Sequence, residues 1–142
     1  MGTIRRFEDL ACWQLARELA KEVYQVSKTG EMARDFGLVN QIRRAAGSVM
    51  DNIAEGFDRG SRGGFVQFLG IAKGSAAEVK SQLYRALDQN YLKQDTFDEL
   101  TQKIDATSRL IKGMLTYLAS SPLKGERYQI LEEPAIPYGD GL

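Results

Sequence analysis

Histidine is absent from this chain of 142 residues, cysteine occurs once and proline three times. Without histidine the commonest general base and metal ligand are missing, which removes Ser-His and Cys-His nucleophile systems, zinc sites and the Glu-x-x-His pairs of di-iron bundles. The lone Cys12 excludes an internal disulfide framework. No run of about eighteen apolar residues occurs, so no membrane span is expected, and the N-terminus lacks the apolar stretch of a signal peptide. Together these absences give the expectation of a cytoplasmic protein with no metal and no cofactor.

Charge of either sign is also in balance, with a formal net charge of zero. It is unevenly spread. From Arg34 to Arg85 eight basic residues face five acidic ones, whereas the stretch after Pro122 is acidic. A mildly basic middle permits an anionic partner without demanding one, since dedicated nucleic-acid binders are usually far more basic. All three prolines lie at or beyond Pro122, and residues 122–142 read as an extended or disordered acidic tail.

What is present is helical periodicity. Four segments are expected at about residues 8–27, 36–55, 61–90 and 95–120, in one domain spanning residues 1–121. The first carries Cys12, Leu15, Ala16, Leu19, Val23 and Val26 on one stripe, with Gly30 as a stop signal. The second carries Leu38, Ile42, Ala45, Ala46, Val49 and Ile53 and is expected to end at Gly56. Ser61 is expected to cap the third, which holds Phe65, Leu69, Ala72, Ala76, Val79, Leu83 and Ala86. Asp95 or Thr96 is expected to cap the fourth, whose Phe97, Leu100, Ile104, Thr107, Ile111, Met114 and Leu118 step by threes and fours. Short connections favour antiparallel neighbours, so the economical fold is an all-α, up-down-up-down antiparallel four-helix bundle.

Two features point beyond a single bundle to a homo-oligomer. Trp13, Ala20 and Tyr24 form a second line on the first helix, about 120° from the Leu19 stripe, and are the candidate subunit interface. Gly70 and Gly74 sit four apart in the third helix, where each glycine costs about 1 kcal/mol relative to alanine. A close approach by a neighbouring helix is the expected compensation.

The second helix also bears a polar stripe, Gln41, Ser48, Asn52 and Glu55, where a solvated face would be rich in lysine and glutamate. With Ser75 and Glu78 on the third helix it is expected to form a buried hydrogen-bond network; a patch that contacts a ligand or partner is the alternative. No catalytic set is assigned. Gly60-Ser-Arg-Gly-Gly64 lacks the lysine and preceding strand of a phosphate loop.

The motifs Phe7-Glu-Asp-Leu-Ala-Cys-Trp13, Gln41-Ile-Arg-Arg-Ala-Ala, Asn52-Ile-Ala-Glu-Gly56 and Gly74-Ser-x-x-Glu78 resemble the four-helix-bundle proteins encoded within intervening sequences of bacterial 23S ribosomal RNA genes. The likeness covers residues 7–118. It implies a small helical protomer assembling into a ring-like homopentamer, similar in fold to accessory proteins of diversity-generating retroelements, with no established enzymatic activity. Met50 stands where family members often have proline, Gly63-Gly64 where lysine- and glutamate-like residues are common, and the acidic tail lies outside the pattern. Two functions follow as expectations. One is an oligomeric, non-catalytic module that binds structured RNA or a nucleic-acid–protein complex through Arg43, Arg44, Arg59, Arg62, Lys73 and Lys80. The other is a protein-interaction scaffold without nucleic acid. On the assembled oligomer, collection of those cations in one channel or groove favours the first, and dispersal, each beside a carboxylate, favours the second.

Overall fold

A computed structural model describes residues 4–120, and among them the chain forms four long helices and no strand. α1 is Ala11–Ser27, α2 Phe36–Asp58, α3 Arg62–Asp88 and α4 Gln94–Ala119. Short 3-10 turns at Phe7–Asp9 and Glu31–Arg34 precede α1 and α2. Each helix packs on two others in cyclic order, so α1 and α3 occupy opposite corners. Ser48 meets Ser75 and Gln41 meets Arg85, which runs α2 and α3 antiparallel. Lys80 meets Asp105 and Arg62 meets Leu118, which does the same for α3 and α4. No described helix is long and apolar enough to cross a membrane.

The stripes read from periodicity point inward. Every residue of the α3 and α4 stripes is buried, as are Leu38, Ile42, Ala45, Ala46, Val49 and Ile53 on α2. Cys12, Ala16, Leu19 and Val23 are wholly buried on α1, while Leu15 and Val26 lie at its edge. Burying one such side chain is worth about 1.5–3 kcal/mol, and this repeated contribution holds the four helices together.

The helix ends show local chemistry. Ser61 caps α3 as expected, its Oγ accepting from the Gly64 amide at 3.1 Å. Asp35 caps α2 through the Leu38 amide and also accepts from the Tyr91 hydroxyl at 3.0 Å, tying the start of α2 to the loop after α3. That bond, with partial burial and the nearby charges of Asp35 and Glu31, raises the Tyr91 phenol above its ordinary value of 10.0. α3 ends with Asn90 at φ 62 and the Tyr91 amide returning to Ala86, a left-handed helix stop made by asparagine.

Three expectations are corrected. α2 does not stop at Gly56 but continues to Asp58, because that glycine is where α2 meets the start of α3. A Cβ there would lie 2.7 Å from Phe68 Cβ and 3.1 Å from the Phe65 ring. Neither Asp95 nor Thr96 caps α4; Lys93 is the boundary residue, and Asp95 accepts from the adjoining Thr96 amide. A Cβ at Gly70 or Gly74 would meet no atom within 4 Å, so no helix among the described residues approaches them. Residues 122–142, expected to form a tail, lie outside the described residues.

The glycines therefore respond oppositely to alanine. Gly56→Ala overpacks the seam and is expected to cost about 1–3 kcal/mol. Gly70→Ala meets open space and is expected to gain about 1 kcal/mol of helix propensity. Urea unfolding of both variants tests this, and equal shifts would refute the packing role of Gly56.

Candidate functional site

Along the seam of α2 and α3 small residues replace large ones. Ala45 and Ser48 on α2 face Ser75 on α3, and an open polar cleft of about 430 Å³ results, lined also by Gln41, Arg44, Glu78 and Gln82. Its floor is a short hydrogen-bond chain. Asn52 Nδ2 donates to the Ser48 carbonyl at 2.8 Å and to Ser48 Oγ at 2.9 Å. Ser48 Oγ lies 2.8 Å from Ser75 Oγ, and since Ser48 already accepts from Asn52, the natural direction is donation from Ser48 to Ser75.

The polar residues expected to be one buried network thus divide. Ser48, Asn52 and Ser75 form it. Gln41, Glu55 and Glu78 are exposed and do not belong to it. The reason is side-chain length: on α2 Gln41 and Glu55 lie about 20° either side of Ser48, and long polar side chains reach past the seam to water. Gln41 Oε1 accepts from Arg85 at 2.8 Å across the mouth of the cleft. Glu55 pairs with Arg59 one turn along the same helix at 3.0 Å. Glu78 lines the cleft from the α3 side, opposite Arg44 on α2, and neither has an ion pair among the described residues.

Gln82 was not among the expected site residues, although it falls seven residues after Ser75 and four after Glu78. It is 9% exposed, and its buried Oε1 has no hydrogen-bond partner.

The six candidate nucleic-acid-binding cations do not share a surface. Arg43 turns to α1, where its Nε donates to Ser27 Oγ at 2.8 Å and its guanidinium lies 4.7 Å over the Tyr24 ring. Arg44 is on the cleft. Arg59 pairs with Glu55 and stacks 4.8 Å over Phe68, and Arg62 donates to the Leu118 carbonyl at 3.3 Å. Lys80 reaches Asp105 on α4 at 2.9 Å, and Lys73 is exposed.

The α1 interface candidates are likewise mostly used internally. Ala20 is 7% exposed and belongs to the core, which removes it from any interface. The Trp13 ring packs edge-on at 5.2 Å against Phe7, because the 3-10 turn folds back over it. Tyr24 remains exposed, beneath Arg43.

These features define a small all-α protein of the antiparallel four-helix-bundle class, with a polar cleft between its second and third helices. The profile of the 23S rRNA-intervening sequence protein family matches residues 8–113, and the chain belongs to that family. Among solved structures it is similar to a protein of unknown function from the S23 ribosomal protein family of Bacteroides thetaiotaomicron. The two share 20% identity at a TM-score of 0.68, over 74% of this chain and 98% of that one, a likeness of fold. No curated protein matches the sequence.

Asn52→Ala abandons two bonds at the cleft floor and is expected to destabilise by about 1 kcal/mol. Glu55→Ala removes only an exposed pair, with an expected change within about 0.5 kcal/mol. Denaturant titration of the two variants checks the division, and equal losses would return Glu55 to the network.

Proposed function

We propose that this protein is a non-catalytic, self-assembling scaffold that contacts other polypeptides and has no dedicated nucleic-acid groove. The observation that carries this reading is the fate of the six candidate cations. Arg43 is held by Ser27 and Tyr24 against α1, Arg59 by Glu55 on its own helix, and Arg62 and Lys80 by a backbone carbonyl and Asp105 of α4. A phosphate backbone needs several cations along one track, each releasing counterions on contact. Among the described residues Arg62, Lys73 and Lys80 share the α4 side of α3, but Arg62 and Lys80 are engaged there by the Leu118 carbonyl and Asp105, and zero net charge supplies little long-range attraction.

Self-assembly is supported by the outward surface of α3. Gly63, Gly70, Gly74, Ala77 and Ser81 share its solvent side, flanked by exposed Val66, Ile71 and Tyr84. A solvated stripe normally carries lysine and glutamate, so this one suits contact with another helix. A homopentameric ring is the assembly that the family resemblance implies.

Light scattering at micromolar concentration is expected to give a particle of several 15.8 kDa protomers. In a filter-binding assay at about 50 mM salt, structured RNA is expected not to bind, and Arg44→Ala to change nothing. Binding that falls steeply with salt and weakens in Arg44→Ala would replace the scaffold reading with an RNA-binding one.

A further inference from the structure

We infer that the α2–α3 cleft receives the outward face of α1 from a second copy of this chain, making the subunit contact a head-to-tail one. The inference rests on the self-assembly reading above and identifies the two surfaces involved. The first observation is unmet hydrogen-bonding capacity in the cleft. Gln82 is nine-tenths buried with an unpaired amide position, and Glu78 is an anion with no ion pair among the described residues. The Gln82 Oε1 and the Glu78 carboxylate are acceptors, and Arg85 at the mouth of the cleft is already bonded to Gln41. An incoming surface must therefore supply donors, together with one acid for Arg44 on the opposite wall.

Second, α1 carries that pattern. Its outward residues Arg17, Glu18 and Lys21 are exposed, two donors with one acid between them. Arg17 lies 5.7 Å over the Trp13 ring, and Glu18 has only a 4.0 Å contact with Lys103. The lengths agree as well. The cleft spans seven residues of α3, from Ser75 to Gln82, and the α1 patch from Gln14 to Lys21 spans seven, about 10 Å in each helix. The first half of α4 is a poorer match, since its exposed Asp95, Asp98 and Glu99 would set acids against Glu78.

Third, placement fixes the geometry of association. α1 and α3 are at opposite corners of the bundle, so the donating and receiving surfaces belong to different sides of the protomer. Such a contact is heterologous and propagates until a ring closes. In the contact, Arg17 or Lys21 of the second copy satisfies Glu78 and Gln82, and Glu18 of the second copy faces Arg44. Gly70 and Gly74, beside the cleft on α3, leave room for the second backbone.

Two full-length variants test this: Glu78→Lys in the cleft, and Arg17→Glu with Lys21→Glu on α1. All three positions are exposed, and circular dichroism with a cooperative melt establishes that each variant folds. Light scattering is expected to show several protomers for the unaltered chain and self-association weakened at least about 100-fold in each variant, since like charges then meet. Lys73→Glu, on the α4 side of α3, is expected to keep the original mass. Mixing the two defective variants is expected to restore complexes larger than either alone, because each supplies the surface the other has lost. An oligomer unaffected by either change, or a mixture that stays dissociated, overturns the inference and leaves self-assembly standing. A monomeric unaltered chain removes both.

Discussion

The structure depends on how closely α2 and α3 can lie. Ala45, Ser48 and Gly56 on one helix, and Ala72, Ser75 and Ala76 on the other, hold the seam to small side chains, and the Phe65 and Phe68 carbons fill the space left at Gly56. Helix pairs pack at about 8–10 Å depending on the side chains between them, and here those side chains permit a near approach. The aromatic end of the seam is tightly packed around Gly56. The serine end is shallow, and its polar groups pair with one another. One seam thus provides both a packing anchor and a recess that water reaches.

This arrangement separates two tasks along one pair of helices. At the Gly56 end a misplaced methyl would strike backbone-anchored carbons, so the sequence there answers to stability. At the Gln41 end, Arg85 bridges to Gln41 over an open cleft and Gln82 is buried with its amide oxygen unpaired. An unpaired buried amide costs stability, about 1–3 kcal/mol, unless something completes it.

The fold was largely legible in the sequence because burial in a bundle follows helical phase. Phase alone placed the α3 and α4 stripes inward without exception. It was less informative at the border of each stripe. Gln41, Glu55 and Glu78 lie within a few tens of degrees of Ser48 and Ser75, yet side-chain length carries them into solvent. Ala20 illustrates the reverse, a small residue off the main stripe that a closely packed neighbour covers. Gln82 was missed because a glutamine on a helix has no distinctive pattern until its surroundings are known. The glycine pair on α3 was read as evidence of a close neighbour, whereas none of the described residues packs against it. Spacing identifies a helix face; it does not say which molecule meets it.

Cys12 has a consequence for how motions of this protein can be followed. It is the only thiol in the chain and is wholly enclosed by the core at the beginning of α1. A maleimide or disulfide reagent reaches its sulfur only when that end of the bundle parts, so the rate of labelling reports the fraction of time the first helix spends away from its neighbours. The chain thus carries a single native clock for local opening.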